Sequence, residues 1–203
     1  MDMRLISITN SPQFAAEADA AGVDQIMVDL ETIGKAERQG HLDTHKAAHT
    51  ISDIESVARA LTTAELVVRT NPLYAHSADE IDQVINAGAK RLMQPMFETV
   101  EQVRVYRELV KGRVPIILLV ETPRALVNLR SILPTLAKGD QIHFGLNDLS
   151  LGMGLRNLFE VVSGRLLDGP AHLCRTQEVS FGIGGIARIG SGKIPAELVL
   201  SEH

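Results

Sequence analysis

The feature that most constrains this chain is an alternation repeated seven times, in which a short β-rich run is followed by a stretch with helical spacing. The strand readings are Arg4–Thr9, Gln25–Glu31, Glu65–Thr70, Arg91–Phe97, Val114–Glu121, Gln141–Leu146 and Val179–Ile186. Among the helical readings are the alanine-rich Pro12–Ala21, closed by Gly22 as a C-cap, and a segment from about Ile51 to Leu61. Another is opened by a capping box at Ser77-Ala-Asp-Glu80 and ends near Gly88. Sequential β–α repetition with no second type of element leaves two architectures, a barrel or a doubly wound sheet. Val114–Glu121 (VPIILLVE) is apolar almost throughout, so it should be buried on both faces, as a parallel sheet requires.

The polar residues choose between them. Asp29 and Glu31, Arg69 and Asn71, Gln94, Glu121, Asn147 and Asp148 all fall at the C-terminal ends of the runs. In a barrel those ends converge on one rim, where the active site lies, whereas a doubly wound sheet would spread them along an edge. The expected fold is therefore α/β, a (β/α)8 TIM-type barrel, with residues 1–203 as a single domain. A complete barrel has roughly 250 residues. This chain has 203 and stops at Leu198–His203 in what reads as the seventh helix, so the last βα unit is expected to be missing or truncated.

Composition removes several classes. With 45% hydrophobic and 22% charged residues, the chain is neither disordered nor fibrous in character. Its net charge of −5 comes from 20 basic and 25 acidic residues, well mixed, and no Lys/Arg block is present to meet a phosphate backbone. Nucleic acid is not an expected partner. The N-terminus is interrupted by Asp, Arg and Asn before an apolar run of signal-peptide length, and the longest apolar run, Val114–Val120, is far below about 18 residues. No membrane partner is expected either. Cys174 is the single cysteine and forms no intramolecular disulfide, so the expected location is a reducing compartment, the cytoplasm. It reads as a small buried hydrophobe.

Glu121 closes one apolar run and Asp148 follows the next, so neighbouring parallel strands carry two carboxylates to the same rim. One or two carboxylates, with water and substrate completing an octahedron, suit Mg²⁺ and are accepted by Mn²⁺. On spacing alone the same pair reads more readily as caps of the following helices. Arg69, within VVRTNP, reads either as a surface ion pair or as a fork that holds a carboxylate or stabilises an enolate oxygen. The glycine-bearing segments Gly145-Leu-Asn-Asp148 and Gly182-Ile-Gly-Gly185 read as ordinary turns or as backbone cradles for a substrate carboxylate. No Walker or dinucleotide fingerprint occurs. His41, His45 and His49 share a helical spacing, but the segment is strongly polar and has no HExxH, which favours a solvated face over zinc. His143 reads as an interior residue with its hydrogen bonds satisfied.

Four segments in order, VDLETIGKAERQ at Val28–Gln39, VVRTNP at Val67–Pro72, LVETPRALVNLRSI at Leu119–Ile132 and HFGLNDLSLGMG at His143–Gly154, resemble the HpcH/HpaI aldolase and citrate lyase β-subunit family of the phosphoenolpyruvate/pyruvate barrels. The resemblance spans almost the whole chain. It implies Mg²⁺ or Mn²⁺ on Glu121 and Asp148, chelated by the carboxylate and keto oxygens of a pyruvate-like or oxaloacetate-like 2-oxo acid. It implies further that Arg69 faces the enolate oxygen, that backbone N–H groups around Gly145, Leu146, Asn147 and Asp148 hold the substrate carboxylate, and that the chain assembles as a homo-oligomer, a trimer or hexamer. The aldolase branch of the family places a His shortly after the acidic residues of the second strand, where this chain has Thr32. Here Asp29-Leu-Glu31 is followed by Lys35 and Arg38, which is similar to the citrate-lyase-like branch. Glu31 is then the candidate for handling a proton. The resulting expectation is a metal-dependent carbon–carbon lyase acting next to a 2-oxo acid enolate. Two readings compete with it: a coenzyme A thioester lyase, and a barrel that binds a metabolite without turning it over or serves within a lyase complex.

Overall fold

The computed structural model describes residues 3–34 and 49–184. Seven strands pair in sequence order and all in parallel: β1 (Ile6–Ile8), β2 (Gln25–Asp29), β3 (Glu65–Arg69), β4 (Arg91–Gln94), β5 (Ile116–Val120), β6 (Gln141–Gly145) and β7 (Ser180–Gly184). Among the described residues β1 and β7 are the two edges of this curled sheet. The register drifts steadily. Asp29 is level with Arg69, Arg69 with Met93, Met93 with Ile117, Ile117 with Gln141 and Gln141 with Ser180. The C-terminal end of β2 is thus connected step by step to the N-terminal end of β7, the stagger that tilts strands in a barrel.

The helices are α1 (Pro12–Ala20), α2 (Ile51–Ala60), α3 (Ser77–Asn86), α4 (Val100–Val110), α5 (Pro123–Ile132), α6 (Leu146–Gly152), α7 (Glu160–Ser163) and α8 (Asp168–Thr176). Side chains alternate along the strands, and both sets are buried. Ile26, Val28, Leu66, Val68, Leu92, Leu118, Val120 and Phe144 join the helices in one large apolar cluster. Met27, Val67, Met93, Ile117 and Leu119, with Ile6 against them, form a second cluster on the concave face. Below that second cluster Glu65 accepts from Gln25 at 2.7 Å and from Arg91 at 2.9 Å, giving the concave face a paired polar end at the strand N-termini. None of the described helices is long and apolar enough to cross a membrane.

Four helices begin where a hydroxyl caps them: Ser11, Thr50, Thr99 and Thr122 each accept from a backbone N–H three residues on. Full capping boxes occur at Thr50/Asp53 and Thr99/Gln102. The box expected at Ser77 does not form, because α3 starts at Ser77 itself and its Oγ accepts from Tyr74 N at 2.9 Å. Glu80, the other half of that reading, turns back to Asn71 instead. The expected strand Arg91–Phe97 is shorter, since Pro95 follows Gln94 with no N–H to donate and Met96 takes a left-handed φ of 52°. The run through Ile186 and the helix at Leu198–His203 extend outside the described residues.

Cys174 is fully buried, and burial pushes its thiol up to about 11, in line with its reading as a small hydrophobe. At the N-terminal face, Asp19 of α1 accepts from Thr62 N, Thr62 Oγ1, Thr63 N, Thr63 Oγ1 and Ala64 N, tying the helix to the entry of β3. The Thr63 hydroxyl and these backbone donors hold its carboxyl well below the usual range. A depressed carboxyl stabilises the fold above its unfolded value and loses that contribution as pH falls. Asp19→Asn should therefore unfold at lower urea than the wild type at pH 7, and the gap should narrow as pH falls from about 5 towards 2; a gap independent of pH would contradict the assignment.

Candidate active site

The C-terminal ends of β2, β3 and β5 bring charge together. Arg69, the last residue of β3, donates from Nε to Asp29 Oδ1 at 2.8 Å and from Nη2 to Asp29 Oδ2 at 2.6 Å, a two-pronged fork across the β2–β3 pairing. Its Nη1 lies 3.3 Å from Glu31 Oε2. Glu31 N donates to Asp29 Oδ1 at 3.1 Å, so Asp29 organises both neighbours. The Arg69 side chain is 14% exposed, and Asp29 and Glu31 are buried. The reading of Arg69 as a surface ion pair fails on this burial. Desolvation opposes its charge, but the Asp29 hydrogen bonds and the charges of Asp29, Glu31 and Glu121 outweigh it and push its pKa up. Asp29 was legible only as one acidic residue of the rim; its two-pronged grip on Arg69 needs the register to be seen.

Glu121 follows β5 directly and is 3% exposed. Its Oε1 accepts from Met96 N at 3.0 Å, and the left-handed backbone at Met96 is what aims that N–H. Gly145 explains itself here: a Cβ on it would lie 2.8 Å from Glu121 Cβ and 3.0 Å from Oε2. Its φ is −86°, so the glycine is required by close approach rather than by turn geometry. The expected Gly145–Asp148 turn is in fact the cap and first turn of α6, which places Asp148 in that helix's opening turn, Leu146 in the core and Asn147 half-buried. Gly182 and Gly184 likewise lie inside β7, and Cβ atoms there would lie 3.2 Å and 2.9 Å from the His143 ring. His143 is therefore an interior residue laid across two glycines. Gly185 falls outside the described residues, as do Lys35, Arg38, His41 and His45. His49 accepts the Asp29 N–H on Nδ1 at 2.9 Å, a structural contact that its spacing did not disclose.

Burial first, then the charges of Glu31 and Asp148, push the Glu121 carboxyl up to about 8, against the opposing pull of Arg69 and the Met96 N–H. Among the described residues, Arg69 is the cation that acts on Glu121. Among the described residues no group of three or more His, Cys, Asp or Glu has the geometry of a metal site. The buried Glu121 carboxylate and the half-buried Asp148 beside it are the hard oxygen donors that a divalent cation keeping several waters would use. A raised carboxyl pKa stabilises the fold below its unfolded value and loses that contribution as pH rises. For metal-free protein the unfolding free energy should fall, on the order of a few kcal/mol, between pH 4.5 and about 8, and Glu121→Gln should lack that part of the slope. Identical pH profiles for the two proteins in chemical denaturation would refute the assignment.

Comparison with known proteins identifies the family and the fold. Residues 4–160 match the HpcH/HpaI aldolase/citrate lyase family. No curated protein gives a significant match. Among solved structures, an HpcH/HpaI aldolase from Desulfitobacterium hafniense is similar with a TM-score of 0.70 at 16% identity, over 98% of this chain and 83% of that one. An HpcH/HpaI aldolase/citrate lyase family protein from Burkholderia cenocepacia gives 0.67 at 20% identity, over 90% and 79%. The citrate synthase SbnG gives 0.69 at 15% identity, over 92% and 79%. These structural likenesses carry the fold, and the family match, which covers more than half of the sequence, carries the membership: the chain belongs to the HpcH/HpaI aldolase/citrate lyase family.

Proposed function

We propose that this chain is a divalent-metal-dependent carbon–carbon lyase that cleaves or forms a bond next to a pyruvate-like or oxaloacetate-like 2-oxo acid enolate. The observation that carries the reading is the mouth itself, where the carboxylates of Asp29, Glu31 and Glu121 gather around the guanidinium of Arg69 and Asp148 lies near enough to raise Glu121. Among the described residues the carboxylates at this mouth outnumber its one guanidinium, and Mg²⁺ or Mn²⁺ on Glu121 and Asp148 would offset their repulsion of an anionic substrate. When bound, such a cation supplies Lewis acidity to the carbonyl oxygen of the 2-oxo acid. Family membership supports the lyase class. In this proposal the seven parallel strands are seven units of a barrel of the eight-stranded kind.

The protein's own groups have separate tasks in this proposal. Arg69, locked in orientation by Asp29, presents its remaining donors to the oxygen on which charge develops as the C–C bond breaks. Glu31, buried against Arg69, handles the proton, directly or through water. Backbone N–H groups from Gly145 to Asp148 hold the substrate carboxylate at the opening turn of α6. A citrate synthase shares this fold, so bond formation is carried in the proposal alongside cleavage.

The test is release of pyruvate or oxaloacetate from hydroxy-substituted 2-oxo acids and from citryl- or malyl-type thioesters, with Mg²⁺, Mn²⁺ or chelator. Free-acid turnover supports the aldolase form, and thioester consumption the coenzyme A form. Binding of 2-oxo acid without turnover of any substrate would favour the non-catalytic reading. Glu121→Gln and Asp148→Asn should each weaken metal binding by more than about 100-fold in calorimetry, since even outer-shell changes cost roughly 10–100-fold. Full activity with metal still bound in either variant would remove the assignment. Arg69→Lys, which loses the fork, should lower kcat by about 100-fold or more with a smaller change in KM; an unchanged kcat would dismiss its enolate role.

A further inference from the structure

The regular β2–β3 ladder ends where Leu30 N donates to Arg69 O at 2.9 Å. The chain beyond it is not released. Asn71, two residues after Arg69, accepts on Oδ1 from Thr32 N at 2.9 Å, from Ile33 N at 3.0 Å and from Thr32 Oγ1 at 3.3 Å. Thr32 and Ile33 are exposed, so water could have served those donors, yet one amide oxygen takes both backbone N–H groups. The other end of that amide is held as well. Glu80, in the first turn of α3 and only 9% exposed, accepts on Oε1 from Asn71 N and from Asn71 Nδ2, both at 3.0 Å.

This arrangement sets the polarity of the Asn71 amide. Flipped, Nδ2 would face the backbone N–H groups of Thr32 and Ile33 and Oδ1 would face a carboxylate oxygen, so those three contacts would be like against like. A carboxylate accepts without donating, which is why Glu80 enforces one orientation where an amide would permit two. Pro72 then keeps Asn71 out of the helical region, in line with the strand that carries Arg69.

We propose that Asn71 and Glu80 are a positioning pair that clamps the turn from Glu31 to Ile33 and thereby holds the Glu31 carboxylate 3.3 Å from Arg69. Neither side chain needs to touch substrate. Asp29 fixes the turn from one side through Glu31 N, and Asn71 fixes it from the other, so Glu31 has little freedom to drift from the guanidinium. The kinetic consequence rests on the lyase reading above, whereas the clamp itself does not.

The experiment pairs hydrogen exchange with kinetics in Asn71→Ala, Asn71→Asp, Glu80→Gln and the double swap Asn71→Asp/Glu80→Gln. In Asn71→Ala the amides of Thr32 and Ile33 should exchange at least about 10-fold faster while β3 and β5 amides keep their protection. With Mg²⁺, kcat should fall about 10–100-fold and KM by less than about 3-fold, as for a displaced proton-handling group. Asn71→Asp sets two carboxylates against each other and should be at least as slow. The swap removes the clash of carboxylates, because the amide brought in by Glu80→Gln can donate to the carboxylate brought in by Asn71→Asp; the single oxygen that serves both Asn71 N and Nδ2 is then replaced at one of the two contacts, so the swap should recover part of the kcat lost in Asn71→Asp. Unchanged exchange at Thr32 and Ile33 in Asn71→Ala would overturn the clamp. Faster exchange with kcat unchanged, or a swap as slow as Asn71→Asp, would overturn its positioning role. If wild-type protein releases no 2-oxo acid from any substrate, the lyase reading fails and the exchange result alone judges the clamp.

Discussion

The fork between Arg69 and Asp29 is the contact on which the rest of the mouth depends. It crosses from β3 to β2 at a register pair, so it forms only when the two strands are aligned to the residue. A slip of one position would turn Arg69 away from Asp29 and into the largely apolar helix layer, where a guanidinium is costly to bury. Removing either partner would leave the other buried with less compensation, and the energetic weight of the pair lies in that penalty more than in the attraction. Fold and site are therefore joined at one point.

The two apolar layers support this arrangement in different ways. The outer layer, between strands and helices, supplies most of the buried surface and sets where the strands run. The inner layer of Met27, Val67, Met93, Ile117 and Leu119 is small, and its members stop one pleat below the charged mouth. The charges thus rest on an apolar base, and Asp29, Glu31 and Glu121 are themselves buried. In that setting Coulombic effects are strong, and burial together with Glu31 and Asp148 lifts Glu121 into the neutral range. Arg69 is the cation that pulls the other way.

Glycine has an unusual part in this mouth. Gly145 leaves room for the Glu121 side chain, and Gly182 and Gly184 leave room for His143. All three read in the sequence as turn residues, because turns are where glycine is most often needed. Their actual reason is the closeness of a side chain on the neighbouring strand, which a linear pattern does not encode. Ser77 and Glu80 illustrate the same point: their spacing matches a capping box, but tertiary donors at Tyr74 and Asn71 claimed both groups.

Taken alone, the sequence determined the alternation of strands and helices, the burial of β5 on both faces, and the collection of acidic residues with Arg69 at the strand ends. Each follows from local periodicity or from position within a run, which one dimension carries. Only the tertiary structure decided that Asp29 grips Arg69, that Met96 N–H serves Glu121, and that Asn71 ties down the turn after Glu31. Those contacts join residues 25 to 40 positions apart, and their geometry depends on strand register and on a left-handed backbone at Met96. Register is set by the whole sheet packing at once, so no single segment could have announced it.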